Sequence, residues 1–361
     1  MSAQTIVPYD RDAVSALSHS KHEPEWMLKQ RLEALALSEK LELPKLEKTR
    51  IDRWKIDSYG SFKPSPTISS ITELPLEIRS QLQSEEDLDK NVLIQRNSNV
   101  IFKHISTGLA NQGVIFTDLE TALQEHEELV RSYFMKAVSV EENQFTALHT
   151  ALWNGGVFLY VPKNVKIEVP IQALFLTDDI SASFLPHILI VAEANSSVTY
   201  VDYYVSGGDS GGTLVHNGIV EIFVKQGAHV QFASVHNLGE SITDLSYRRS
   251  VIGNNGQMEW IIGEMNHGNS MSDTTSILQG SGSTTDAKVI CVGTNEQKLN
   301  ITTKAVHVGR SSSSDMSTRA VMRDSSTAII NGVTKIEKGA VNANGQQTEK
   351  VLMLSPDARG D

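Results

Sequence analysis

At 361 residues, with 40% hydrophobic and 21% charged positions, the chain has the composition of an ordinary globular protein of two or three domains. Its formal net charge of -11 argues against a general nucleic-acid binder, which carries a basic face. The single cysteine, Cys291, excludes an intrachain disulfide or a thiolate cluster, and no run approaches the roughly 18 apolar residues that span a bilayer. The first residues lack the basic and apolar regions of a signal peptide, so the expectation is a cytoplasmic protein with neither a nucleic acid nor a membrane as partner.

The first predicted element is an amphipathic helix over Glu25–Leu41, with Trp26, Leu28, Leu32, Leu35 and Leu37 on its apolar face and Lys29, Arg31, Glu33 and Lys40 between them. Pro24 suits its first turn and Pro44 discourages continuation. Residues Ser58–Thr72, with Gly60, Pro64 and Pro66, read as a loop. Helical stretches follow around Leu76–Leu88 and Asp118–Tyr133, with a short strand over Asn99–Ile105 between them.

From Gly155 onward the pattern is β. Short runs alternate β-branched or aromatic residues with polar ones at Val157–Val161, Leu189–Ala192, Val198–Val205, Ile219–Val224, Val230–Val235, Gln257–Ile262 and Ala287–Val292. Small-residue corners at Ala194–Ser197, Gln226–Ala228, Asn254–Gly256, Gly282–Thr285 and Ser311–Ser314 recur about every 27 to 32 residues. Later corners at Asp324–Thr327 and Lys338–Ala340 fall at about half that interval. Such a period points to a solenoid, in which each unit buries its apolar face only against the next. Propeller blades need roughly 40 to 50 residues each; a β-sandwich with evenly spaced turns is the alternative. The expected fold is therefore α+β: a helical N-terminal domain over 1–98, a connecting region over 99–154, and a right-handed parallel β-helix over 155–361.

Few residues offer chemistry. Cys291 lies among aliphatics in Ala287-Lys-Val-Ile-Cys-Val-Gly293, the setting of a small buried hydrophobe rather than a reactive thiolate. His236, His267 and His307 could stack along a solenoid, yet no HxH or HExxH spacing holds a metal, and corner or surface positions are expected for them. Gly207–Gly212 lacks the Gly-Lys-Ser/Thr ending of a phosphate loop, and the terminal Arg359-Gly-Asp361 is a coincidence of composition. No catalytic residue and no cofactor or metal ligand emerges. The one enzymatic alternative is a β-helix polysaccharide lyase or carbohydrate binder.

Three segments carry a resemblance: Glu23-Pro-Glu-Trp-Met-Leu-Lys-Gln-Arg-Leu32, then Phe145-Thr-Ala-Leu-His-Thr-Ala-Leu-Trp-Asn-Gly-Gly-Val-Phe-Leu-Tyr-Val-Pro162, then Asn342-Ala-Asn344 through Leu352-Met-Leu-Ser-Pro-Asp-Ala-Arg-Gly-Asp361. They resemble, in order, the SufB/SufD family of iron–sulfur cluster assembly proteins. At the place where SufB-type members carry the assembly cysteine, the alignment on Asn342-Ala-Asn344 puts Glu349. A carboxylate cannot accept sulfur as a thiolate does, so the resemblance is to the SufD type, as it is for Pro44–Arg50. It implies a non-catalytic scaffold that pairs with a SufB-like subunit, or with itself in isolation, and docks the SufC ATPase. The nascent cluster would form only at the interface of the intact complex. It also implies a histidine-bearing strand and SufC-docking helices beyond Asp361, so a C-terminally truncated chain is expected. His307 and Glu349 are the residues expected near a subunit interface.

Overall fold

The computed structural model describes residues 9–74, 79, 91–207 and 211–361. Its helices belong to the N-terminal part: α1 (Arg11–Ser20), α2 (Glu25–Ser38), the short α3 (Thr107–Ala110), α4 (Leu119–Glu125), α5 (Glu127–Tyr133) and α6 (Gln144–Leu152). Local chemistry sets their starts. Asp10 accepts the Ala13 N–H to cap α1, and Asn143 accepts the N–H groups of Phe145 and Thr146 to cap α6. The helix expected over Asp118–Tyr133 divides into α4 and α5, because His126 leaves the helical region at φ -136. The one expected around Leu76–Leu88 lies, Arg79 apart, outside the described residues.

Helix α2 begins where expected but is turned about its axis. Its buried residues are Met27, Arg31, Ala34, Leu35 and Ser38, so of the expected stripe only Leu35 is buried and Trp26, Leu28, Leu32 and Leu37 are half-buried. The cause is Arg31. Its guanidinium is fully enclosed, pairs with Glu23 at 2.6 Å, donates to the carbonyls of Ala151 and Trp153, and lies over the Trp153 ring. A buried guanidinium with all three nitrogens hydrogen-bonded fixes the rotation of the helix more firmly than apolar spacing does.

The strands are β1 (Asn91–Arg96), β2 (Asn99–Ile105), β3 (Ile115–Thr117), β4 (Gly156–Val161), β5 (Ile171–Thr177), β6 (His187–Ala192), β7 (Ser197–Ser206), β8 (Leu214–Val224) and β9 (His229–Asn237). They continue as β10 (Ile242–Ile252), β11 (Gln257–Glu264), β12 (Ser270–Leu278), β13 (Thr284–Gly293), β14 (Lys298–His307), β15 (Ser313–Met322), β16 (Thr327–Ile336), β17 (Asn344–Met353) and β18 (Arg359–Gly360). From β4 to β17 the chain winds seven two-strand coils, and every pairing along the stack is parallel. Even strands form one nine-stranded sheet with β3, and odd strands form the other with β2. Among the described residues antiparallel pairing occurs only at the N-terminal margin, between β1 and β2 and between β3 and β4. The expected helical region followed by a parallel solenoid is what the chain forms.

Two strands per coil explain the corner spacing. Asn164, Asn195, Gly227, Asn255, Gly282, Ser311 and Asn342 line one edge, all at positive φ, and Asn295 and Asp324 turn the opposite edge. The corner expected at half the interval is thus the other side of the coil. From Asn195 to Gly282 asparagine and glycine alternate on the first edge for a steric reason. A Cβ at Gly227 would lie 2.5 Å from Asn195 Oδ1, and one at Gly282 would lie 2.4 Å from Asn255 Oδ1.

The two sheets face each other across one apolar core that runs the length of the stack, from Val157 and Phe175 through Phe232 and Trp260 to Met316 and Ala328. A second cluster joins the helices to the outer face of the even-numbered sheet, with Phe134, Phe145, Leu148 and Trp153 against Phe158, Leu189, Ile219 and Phe223. This sheet is therefore capped. Among the described residues the outer face of the odd sheet is covered only at its start, by Ile71 and Leu74 over Ile94, Leu174 and Leu176, and is open from there on. Entry into the first coil is the Trp153-Asn-Gly-Gly156 turn. Gly156 has φ 92, and a Cβ there would fall 2.0 Å from the His187 carbonyl oxygen, so only glycine fits. Among the described residues no helix is long and apolar enough to cross a membrane.

Candidate functional site

The largest concentration of polar groups lies between the sheets in the middle coils. His216 on β8, Asp244, Ser246 and Arg248 on β10, Asp202 on β7, His236 on β9 and Glu264 on β11 are all buried there. Asp244 is the hub. One carboxylate oxygen accepts from His216 Nδ1 and Ser246 Oγ, the other from His236 Nδ1 and Asn266 Nδ2, each at 2.7 Å. Four donors fill the lone-pair sites of an ionised carboxylate. Burial by itself would raise this carboxyl, but the flanking imidazoles outweigh it and hold Asp244 well below the usual carboxylate range.

The network continues outward from the hub. Arg248 donates to His236 Nε2 at 3.0 Å, to Glu264 Oε1 at 3.0 Å and to Ser272 Oγ at 2.7 Å. Asp202 stands apart: neither of its oxygens has a hydrogen-bond partner, and burial pushes its carboxyl up to about 6.

Among the described residues His216, His236 and Asp244 are the one group whose ligand atoms lie close enough to share a cation, all within 4.8 Å. The donor pattern argues against that use. Both Nδ1 atoms spend their protons on Asp244, and Arg248 occupies the remaining nitrogen of His236. A cation would have to displace these bonds beside a guanidinium. The cluster works as a hydrogen-bonded tie between coils.

A second buried chain lies on the outer face of the capped sheet, beneath the helices. His149 of α6 meets the Asn217 carbonyl through Nδ1 at 2.8 Å and His187 Nδ1 through Nε2 at 3.0 Å. His187 Nε2 faces Glu221 Oε2 at 3.1 Å. Glu221 in turn accepts the backbone N–H groups of Met135, Ala137 and Val138 at 2.6, 2.6 and 2.9 Å. Burial first, and the neighbouring His187 second, hold His149 well below its ordinary value.

With fold and buried groups in place, comparison with known proteins is informative. Residues 14–173 match the SufBD protein N-terminal region, and residues 175–361 match the SufBD core domain of SUF-system FeS cluster assembly. The chain belongs to the SufBD family. It is 40% identical to the iron–sulfur cluster assembly protein SufD of Bacillus subtilis, over 100% of this chain and 83% of that protein. It is 31% and 30% identical to iron–sulfur cluster assembly SufBD family proteins of Staphylococcus epidermidis and Staphylococcus saprophyticus, over 96% of this chain and 76% of each. Within the family its likeness is to the SufD type.

In this SufBD chain the singled-out residues fall at different places. Cys291 points into the core from β13, fully buried, and burial pushes its thiol up to about 12. His307, at the end of β14, is also enclosed, held between Ser312 Oγ at 2.8 Å and Ser314 Oγ at 2.9 Å. Glu349 pairs in register with buried Thr318, so it faces inward on the last odd strand, where it is exposed. Its carboxylate lies over Gly332: a Cβ there would meet Oε1 at 2.3 Å. A Cβ at Gly345 would meet His307 Nε2 at 3.4 Å, and four residues of strand, about 13 Å, separate that glycine from Glu349. The two residues are not brought together.

The corner or surface placement expected for the histidines holds for His267, which is exposed, and fails for His236 and His307, whose strand parity turns them inward. The loop at Gly207–Gly212 falls partly on 208–210, outside the described residues. Sequence reading missed Asp202, Asp244, Arg248 and Glu264, and also the His149–His187–Glu221 chain. A signal existed in β10, where every second residue from Ile242 reads Ile, Asp, Ser, Arg, Ser, Ile, a polar stripe with strand period on the inward side.

Proposed function

We propose that this SufBD-family chain is a scaffold subunit of iron–sulfur cluster assembly with no turnover of its own. It pairs with a SufB-like subunit and docks a SufC-like ATPase in the cytoplasm. The observation that carries this reading is the state of the only thiol. Cys291 is enclosed in the core with its thiol pushed up to about 12, so the chain presents no thiolate to accept sulfur. Glu349 takes the place at which SufB-type members carry their cysteine.

Pairing is supported by the last coils, where Ile336, Val341, Leu352, Met353 and Leu354 are exposed aliphatics beside strand backbone suited to β-augmentation. No cluster is held by the isolated chain on this reading; it forms at the shared interface, and a homodimer uses the same surface when the partner is absent. The carbohydrate-enzyme alternative needs a free acid and base on an open groove; Asp202, Asp244 and Glu264 are enclosed between the sheets, and on the open face Glu259 and Asp286 are paired with His229 and Lys288.

Co-expression with SufB-like and SufC-like proteins tests the proposal. The protein is expected to co-purify with both, and Cys291→Ser is expected to leave cluster formation by the complex intact. Purification alone, or loss of cluster formation in that variant, overturns it.

A further inference from the structure

The His149–His187–Glu221 chain has a proton count that its two rings and one carboxylate cannot meet in their ordinary neutral-pH forms. The Asn217 carbonyl only accepts, so His149 Nδ1 carries a proton. The 3.0 Å contact between His149 Nε2 and His187 Nδ1 needs one proton between the two nitrogens. The 3.1 Å contact between His187 Nε2 and Glu221 Oε2 needs another; without it, two lone pairs face each other in a site where both side chains are 0% exposed. The backbone N–H groups of Met135, Ala137 and Val138 already donate to Glu221, so none of them supplies this link. Three links require three protons. Two neutral imidazoles supply two, and an ionised Glu221 supplies none.

We propose that this chain is a proton-binding site, holding one proton more than two neutral histidines and a carboxylate, and that this proton fastens the helical cap to the solenoid. The three groups come from three elements: His149 from α6, His187 from β6 and Glu221 from β8. Glu221 further ties down the segment after α5 through its three backbone bonds. Loss of the proton opposes lone pairs at the junction of all four.

The surrounding charges neither supply nor neutralise it. Arg31 of α2 is committed to Glu23, His216 inside β8 to Asp244, and Arg249 of β10 to Glu142 and Asp273. Burial holds His149 itself below its ordinary value.

The sign of the linkage follows. Above about pH 6.5, an unfolded chain carries neutral histidines and ionised glutamates. Folding then takes up one proton here, so this site's contribution to stability declines as pH rises. Below that pH the unfolded chain protonates both histidines and binds one proton more than the folded site, so the dependence reverses and stability falls again toward acid. One proton corresponds to a tenfold fall in the folding constant per pH unit.

In Glu221→Gln the amide NH2 can donate to His187 Nε2 with no added proton. The Met135 N–H then faces that amide and lowers overall stability, but not the slope with pH. Unfolding titrations of parent and variant between pH 6.5 and 8.5 are expected to differ in slope by that tenfold factor per unit. Equal slopes overturn the proposal. Should the variant not fold, side-chain 15N spectra of the parent decide, with His149 and His187 assigned by single substitution. Three ring protons on the pair, or two with a protonated Glu221 seen by 13C, support it. Two neutral rings beside an ionised Glu221 overturn it.

Discussion

The capped and the open sheet are wound from the same coils, yet their strands have different compositions. On β8, the outward-facing Val215, Asn217, Ile219, Glu221 and Phe223 all lie under the helices and are buried. On the neighbouring open strand β9, the outward-facing His229, Gln231, Ala233, Val235 and Asn237 meet solvent. The open strands β9, β11, β13 and β15 accordingly show period-two alternation, while β8 and β10 are buried almost throughout. What covers a strand from outside decides its sequence, and its place in the coil does not. The rule extends to charge. Lys288 pairs with Asp286 in water on the open face, whereas Glu221 and Arg249 on the capped face have polar partners on several elements.

The comparison breaks most severely if the cap is loosened. Arg31 seats α2 on the turn leading into the first coil, and it outweighs the burial that would otherwise raise the Glu23 carboxyl, holding it below its ordinary range. Arg31→Ala leaves that carboxylate buried and unpaired. The expected loss is about 3–5 kcal/mol in urea unfolding. A loss under about 1 kcal/mol would show that the cap contributes little, and that the sheet beneath it stands alone as the open sheet does.

A change of the opposite sign belongs to the shared interior. In Asp202 the carboxyl is raised from 3.8 to about 6 by burial. Below about pH 4 both folded and unfolded forms are protonated and no penalty exists. As pH rises through 6 the folded form must ionise in a fully buried site, and stability conferred by the neutral acid is lost. Two pH units correspond to about 3 kcal/mol. Asp202→Asn keeps the shape without the charge, so it is expected to stabilise by about that amount at pH 8 and by almost nothing at pH 4. A variant less stable than the parent at pH 8 would mean that ionised Asp202 is useful to the interior.

The open sheet was the legible one. Alternation marked its strands, the corner column was visible as small residues, and β2 runs over the expected Asn99–Ile105. The corner at Asp324 was found but placed on the wrong rhythm, because its residues belong to the opposite edge of the coil. Arg31 was read as a solvent residue since single-sequence periodicity sorts by polarity, and nothing local reports that Glu23, Ala151 and Trp153 converge on it. His149 stood inside the motif that carried the family resemblance, yet its role depends on strands 38 and 68 residues away. Buried polar networks are long-range by construction, and their members look like surface residues until the coils are stacked.

The finest test applies one substitution to both sheets. Ile219 and Ile261 each point outward from the solenoid, but Ile219 is fully buried beneath the helices and Ile261 is 41% exposed. Removing one methylene from Ile219 leaves a gap in the cluster packed beneath the helices, which partial relaxation does not close. Ile219→Val is therefore expected to cost about 0.5–1.5 kcal/mol. At Ile261 water fills the space, and Ile261→Val is expected to change stability by less than about 0.5 kcal/mol. Equal costs at the two positions would mean that the open face is covered in solution by something that the chain does not itself supply. Because both changes are conservative, fold and register are preserved, and the difference between them reports only what lies over each sheet.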